Sequence, residues 1–209
     1  MKVNEIFESI QGEGAHSGVP VLFIRLSGCT RACSFCDTKY HTDGKDMTVN
    51  EVVERINKSK LCTVVWTGGE PALQADEIYE VIHLTTLIDD TIERQHHLET
   101  NGDILMNYTM FNYVCFSPKE LRVAKSCEAL FNMVENYDWG TDFDIKVVTD
   151  LETNKELIPY ATMLMPLTVD VGGPIDIKNE QKVWNYCVKN NIPFCLRTHV
   201  KVWQGKKGV

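Results

Sequence analysis

The chain has 209 residues, 21 Lys plus Arg against 29 Asp plus Glu for a formal net charge of −8, and 44% apolar residues. That length suits one domain whose core buries roughly two-thirds of the unfolded surface; the composition excludes a disordered chain, and the acidic balance argues against a general electrostatic grip on nucleic acid. The longest uncharged run, residues 104–118, contains Asn107 and Asn112 and falls short of the ~20 apolar residues that span a bilayer, and the start of the chain has no apolar h-region, so a cytoplasmic protein with no membrane partner and no nucleic-acid partner is expected.

In chain order, residues 5–14 read as a glycine-rich loop in which Gln11 and Glu13 present an amide and a carboxylate together. Residues 21–26 are a buried strand carrying one cation, Arg25. Thr48 and Glu51 form a capping box, and Val52, Val53 and Ile56 follow at helical spacing. Residues 62–66 are a second strand ended by Thr67-Gly68-Gly69, and residues 76–83 an amphipathic helix. Strands are expected at 97–101, 113–116, 143–148, 162–165 and 194–198, with helices at 127–135, 152–157 and 178–190. Strands alternating with helices predict a largely parallel sheet. About six such units fall short of the eight of a closed barrel, so the fold class is α/β, a partial, open βα barrel of about six parallel strands. No internal repeat or long linker divides it, so 1–209 is taken as one domain with short N- and C-terminal additions. Thr67, Glu99, Ser117 and His199 all fall at or just past expected strand C-termini, where ligand sites of parallel α/β folds collect.

Three of the eight cysteines lie within eight residues, as Cys29-x3-Cys33-x2-Cys36. Cys62, Cys115 and Cys195 fall in strand-like segments and read as core thiols, and Cys127 and Cys187 as packing residues on helices. Three thiolates on one short loop suit a metal. A structural zinc needs a fourth ligand, for which His41 is available; an iron–sulfur cubane held by three cysteines keeps one iron open. Arg25, inside an apolar strand, needs an anion, which is either a substrate carboxylate or a structural acid.

The spacing Cys29-x3-Cys33-x-Phe35-Cys36, followed by Thr67-Gly68-Gly69-Glu70-Pro71 after the next strand, resembles the radical S-adenosylmethionine (SAM) superfamily. That resemblance implies a radical SAM core with a 4Fe–4S cluster on Cys29, Cys33 and Cys36, SAM on the open iron, and a substrate hydrogen removed by a 5′-deoxyadenosyl radical. Adding the run from Ser9 to Gly14, Arg25 and the tail from Arg197 to Val209, the chain resembles the 7-carboxy-7-deazaguanine synthases from residue 5 to its end. The family converts 6-carboxy-5,6,7,8-tetrahydropterin to 7-carboxy-7-deazaguanine with loss of ammonia, for 7-deazapurines such as queuosine. The resemblance implies that Ile10, Gln11, Gly12, Glu13, Arg25, Thr67, His199 and Val209 bind the pterin. It assigns Phe35, Cys36, Asp37, Gly69, Ser117, Pro118 and Lys119 to SAM and Thr38 to Mg2+. It also implies a flavodoxin-like one-electron donor and a homodimer. Read from the residues alone, Thr38 is equally a turn residue and Lys119 a solvated loop lysine. The chain has Met165-Pro166 where the family often has Gln-Pro, and Arg197-Thr198-His199 where it often has Gln-x-His. The rival readings are a glycyl-radical activating enzyme, whose substrate is a protein, and a zinc-binding interaction module.

Overall fold

The computed structural model describes the chain except residues 34, 35, 37–41, 89–92, 137–139, 170, 172, 205, 207 and 209. Eight strands form one sheet: β1 (Lys2–Ile10), β2 (Pro20–Leu26), β3 (Lys45–Asp46), β4 (Thr63–Gly68), β5 (Gln95–Thr100), β6 (Tyr113–Phe116), β7 (Asp142–Thr149) and β8 (Met163–Pro166). Their order is β3-β1-β2-β4-β5-β6-β7-β8. From β2 to β8 all neighbours are parallel, so the six expected parallel strands are present. The sheet is open rather than closed.

Helices α1 (Val49–Lys58), α2 (Ala75–Ile88) and α3 (Leu121–Asn136) carry crossovers between parallel strands, while α4 (Pro174–Asn190) and α5 (Thr198–Trp203) follow β8. α1 starts where its sequence dictates. Thr48 accepts from the Glu51 N–H, and Glu51 reaches back to the Thr48 N–H, which satisfies two end groups of the helix reciprocally. Its face of Val52, Val53 and Ile56 is buried. Trp66, Leu98, Val114, Ile145 and Leu164 point to the helix side of the sheet and join that core. Alternate strand residues necessarily face the other way. Among the described residues no helix is long and apolar enough to cross a membrane.

Four expectations are corrected. Residues 5–14 are not one loop: the chain is extended to Ile10 as β1, antiparallel to β2, and only residues 11–19 form the connecting hairpin loop. The Gln11 N–H donates to the Val19 carbonyl at 2.8 Å and the Gly18 N–H returns to the Gln11 carbonyl at 2.8 Å; Gly14 and Gly18 supply the positive φ angles, +73° and +99°, that such a loop needs. Residues 194–198 are not a strand. Phe194 makes a single parallel bridge to Leu164, and the chain then turns into α5, so His199 sits on a short helix. Cys62 is exposed, because β4 begins one residue later. The helix expected at 152–157 is a 3-10 turn at Lys155–Tyr160, ahead of which Asn154 takes the left-handed conformation. Cys115, Cys127, Cys187 and Cys195 are buried as expected.

Candidate active site

The strand register aligns one row of side chains across the sheet. Glu5 of β1 lies beside Arg25 of β2, Arg25 beside Thr67 of β4, and Glu99 of β5 beside Cys115 of β6 and then Asp144 of β7. This face opens into a cavity of about 410 Å³ at the C-terminal ends of the parallel strands. Twelve of the residues to which the family resemblance gives a role line it, Ile10, Gln11, Glu13, Arg25, Cys29, Cys33, Cys36, Thr67, Gly69, Ser117, Lys119 and His199, together with the strand-end Glu99. Gly12 and Pro118 are not part of the lining. Phe35, Asp37, Thr38, His41 and Val209 lie outside the described residues.

The cysteine loop follows β2 and is held by the next two strand ends. A Cβ on Gly69 would lie 1.7 Å from the Gly28 carbonyl oxygen, so the two loops pack backbone against backbone and only glycine fits. The Glu70 N–H donates to that same carbonyl at 2.8 Å. Glu70 itself is fully buried and accepts from Ala72 N–H, Thr100 Oγ1 and Asn101 N–H at 3.0, 2.6 and 2.7 Å. Burial pushes its carboxyl up, and these donors oppose that. Asn101 donates to Thr30 Oγ1 at 3.0 Å and lies 3.9 Å from Cys29 Sγ. Arg31 clamps the same loop with two bonds to Asp103, at 2.6 and 2.5 Å, and one to Glu120 at 2.7 Å. Lys119 donates to Ser117 Oγ at 2.7 Å on the opposite wall.

Cys29, Cys33 and Cys36 are partly exposed, carry no disulfide and line one cavity. Among the described residues no three His, Cys, Asp or Glu gather closely enough for a single ion. Cysteines set apart on one loop suit a cluster that takes each on a different iron. The donor set therefore fits a 4Fe–4S cluster better than one zinc ion.

That floor is charged. Lys146 of β7 is 3% exposed, and its Nζ lies 2.7 Å from Glu13 Oε2 and 2.9 Å from Glu99 Oε2. Arg197 Nε lies 3.4 Å from the other Glu13 oxygen. Gln11 donates to Glu99 Oε1 at 3.3 Å and accepts from the Glu13 N–H at 3.2 Å. Burial alone would raise the Glu13 carboxyl, but Lys146, Arg197 and His199 bring it down to about 2. Burial holds Glu99 above its ordinary value against the pull of Lys146, with Glu13 adding to the rise. Burial disfavours the charged Lys146, yet Cys115, Glu13 and Glu99 hold it well above its ordinary value. The Arg25 guanidinium meets Glu5 Oε2 at 3.2 Å, so a structural acid from β1 answers at least part of its charge. The tail seals the hairpin loop: Thr198 N–H donates to the Gly12 carbonyl at 2.9 Å, and Gly14 N–H to Cys195 Sγ at 2.9 Å.

Sequence reasoning missed Lys146, Asn101, Arg31 and Asp103 as parts of this site, and left Glu99 as a strand-end residue without a role. Lys146 carried a usable signal, a lone cation between Ile145 and Val147 in an apolar strand, the same signal that marked Arg25. Asn101 and Asp103 gave none, since a polar pair beside Gly102 reads as an ordinary turn.

Residues 23–129 match the radical SAM superfamily. A 7-carboxy-7-deazaguanine synthase of Methanospirillum hungatei is 32% identical over 208 residues, covering 98% of this chain and 86% of that protein. The one from Bacteroides thetaiotaomicron is 43% identical over 121 residues, a match that spans 57% of this chain and 61% of the relative. The crystal structure of QueE from Escherichia coli shares the fold with a TM-score of 0.67 at 22% identity, covering 95% of this chain and 94% of that one.

Proposed function

The chain belongs to the radical SAM superfamily and, within it, to the 7-carboxy-7-deazaguanine synthases, and we propose that it converts 6-carboxy-5,6,7,8-tetrahydropterin to 7-carboxy-7-deazaguanine with loss of ammonia. One observation carries this reading: three cluster-type cysteines open on the same cavity as Gln11, Glu13, Glu99 and Arg25. A protein-activating enzyme has no need of a buried polar floor sized for a small heterocycle, and a zinc module has no need of the cavity.

When bound, the cluster and SAM supply the one-electron chemistry that removes and returns a substrate hydrogen. The rest falls to this chain. Cys29, Cys33 and Cys36 hold the cluster. Gly69, Ser117, Pro118 and Lys119, with Phe35 and Asp37, receive SAM, and Thr38 the Mg2+. Gln11, with a donor and an acceptor on one amide, reads the heterocycle edge together with Glu13 and Glu99, while Ile10 and Gly12 shape that end. Arg25 takes the substrate carboxylate, with Thr67 beside it, and His199 and Val209 close on the substrate. The hairpin loop and tail exclude water, which strengthens each charged contact inside. We further propose a single domain in the cytoplasm, a homodimer, and a flavodoxin-like electron donor.

The test is anaerobic reconstitution with iron and sulfide, then SAM, dithionite, Mg2+ and the pterin, with product read by mass. Formation of 7-carboxy-7-deazaguanine is expected. Cleavage of SAM to 5′-deoxyadenosine without that product would overturn the substrate and leave the radical chemistry standing.

A further inference from the structure

Lys146, buried on the cavity floor, joins two carboxylates from different elements. Glu13 comes from the hairpin loop and Glu99 from β5, and both bond the same Nζ. The remaining oxygens are also engaged, Glu13 by Arg197 and Glu99 by Gln11. Gln11 closes the ring by accepting from the Glu13 N–H, which fixes its amide orientation. The groups that face Lys146 are thus Glu13, Glu99 and the Cys115 thiol, with Arg197 and His199 acting on it through Glu13. The Cys115 thiol is held neutral by burial. Two carboxylates sharing a dry site cannot both ionise without a cation between them, because the like charges force one to keep a proton. With Lys146 and Arg197 in place, the four charges balance.

We infer that Lys146 is a positioning residue for the substrate: it keeps Glu13 and Glu99 both ionised and fixed, so that these two carboxylates offer only acceptors to the donor-rich edge of a 2-aminopyrimidinone ring. This rests on the proposed pterin reaction. Lys146 acts through the two carboxylates and takes no part in the radical step. A 2-amino group beside a ring N–H offers only donors, and a floor that has taken up a proton would oppose one of them with a donor of its own. The pair therefore selects for that edge only while Lys146 is charged.

The experiment compares K146M, K146R and the double variant E99Q/K146M with the reconstituted parent protein. It records KM and kcat for 6-carboxytetrahydropterin from pH 6 to 9. It also measures the protons exchanged when the stable product 7-carboxy-7-deazaguanine binds, by calorimetry in two buffers of different ionisation enthalpy. In the parent, KM is expected to be nearly flat and no proton to be exchanged. In K146M the carboxylate pair holds a proton at low pH and must release it to bind. KM should rise about 10- to 100-fold at pH 6.5 and fall by up to about tenfold per pH unit on raising the pH. About one proton should be released on binding, and cluster content should be unchanged. K146R, which keeps the charge, should restore the flat profile. Should K146M fold poorly, E99Q/K146M removes the carboxylate that Lys146 neutralises, and should recover cluster loading and a flat profile at a raised KM. A flat profile with no proton release in K146M overturns the inference; where K146M folds poorly, so does a double variant that folds no better. If the parent itself neither binds the product nor turns over the pterin, it is the proposed reaction that fails.

Discussion

Replacing Gly69 by alanine tests how the cysteine loop is held. The added Cβ would stand 1.7 Å from the Gly28 carbonyl oxygen, where ordinary contact begins near 3.4 Å, so that backbone must withdraw by roughly half the latter distance. The obstacle is backbone, which has no rotamer to escape into, and Cys29 is its neighbour, with Cβ 3.1 Å from the same added methyl. Overpacking of this kind costs about 1–3 kcal/mol. The bond from Glu70 N–H to the Gly28 carbonyl would be lost with it, at about 1 kcal/mol. The sum is a visible drop in melting temperature, and the displacement falls on Cys29, the first of the proposed cluster ligands. Iron per chain, visible absorbance after anaerobic reconstitution and thermal melting measure both parts. Gly140→Ala is the control: Gly140 has a positive φ, +66°, which Gly69 does not, but among the described residues nothing lies within 4 Å of its added Cβ, so it pays only the backbone strain of about 1–2 kcal/mol. We expect G69A to lose most of its cluster while G140A keeps it. Full cluster loading in G69A, with a melting temperature no lower than that of G140A, would refute the argument that backbone packing between the two loops sets the ligand geometry.

Cys33→Ala should abolish cluster assembly and activity together; a full complement of iron in that variant would remove the cluster assignment. Gly12→Ala brings a Cβ to 2.3 Å from His199 Nδ1 and 2.9 Å from its backbone nitrogen, so α5 must lift from the hairpin loop, and KM for the pterin should rise about tenfold or more while SAM binding, measured by calorimetry, stays put. Arg25→Ala should raise KM strongly because it removes a charged anchor, and an unchanged KM would mean that Arg25 serves only its partner Glu5. Buried His96 accepts from Trp66 Nε1 at 3.1 Å through Nδ1, and burial first, then Arg94 and His97, lower it to about 3. Its folded value lies below the unfolded one near 6.5, so the stability it gives is present above pH 6.5 and is lost as pH falls towards 3. The slope of melting temperature against pH in that window should flatten in His96→Gln, and an equal slope in both proteins would count against this account.

The parallel part of the fold was legible because each crossover strand is a short apolar run ended by a turn, and the alternation with amphipathic helices leaves few other arrangements. β1 was not legible. Its sequence, Lys2-Val3-Asn4-Glu5-Ile6-Phe7-Glu8-Ser9-Ile10, mixes both kinds of residue, and glycines just beyond it dominate the local reading. The segment at 194–198 failed for the opposite reason: Phe194 and Cys195 look like a strand, but the edge of the sheet offers only the single bridge to Leu164 before Thr198 starts a helix. The cysteines and the Gly-Gly-Glu run were readable as a site because their chemistry depends on local spacing.

What local spacing cannot carry is the charge balance of the floor. Glu13, Gln11, Glu99, Lys146 and Arg197 come from the hairpin loop, two strands and the segment before α5, and Glu13 and Lys146, the pair that bonds most closely, stand 133 residues apart in the chain. Each alone has an ordinary explanation: a turn acid, a strand-end acid, a strand lysine, a tail arginine. Only the register, which places Glu99 two strands from β7 on the same face, makes them one network. The substitution of Arg197 into a tail that in the family often carries glutamine then acquires a physical meaning. Glu13 faces two cations here, Lys146 and Arg197, and its carboxyl lies far below the ordinary range for that reason, despite its burial. An arginine at this position locks the hairpin loop to the tail through Glu13, next to the Thr198–Gly12 backbone bond that joins the same two segments. The tail is thus tied to the carboxylate of Glu13 as well as to the backbone of the loop that carries it, so the seal of the hairpin loop and the charge state of the floor are one electrostatic arrangement.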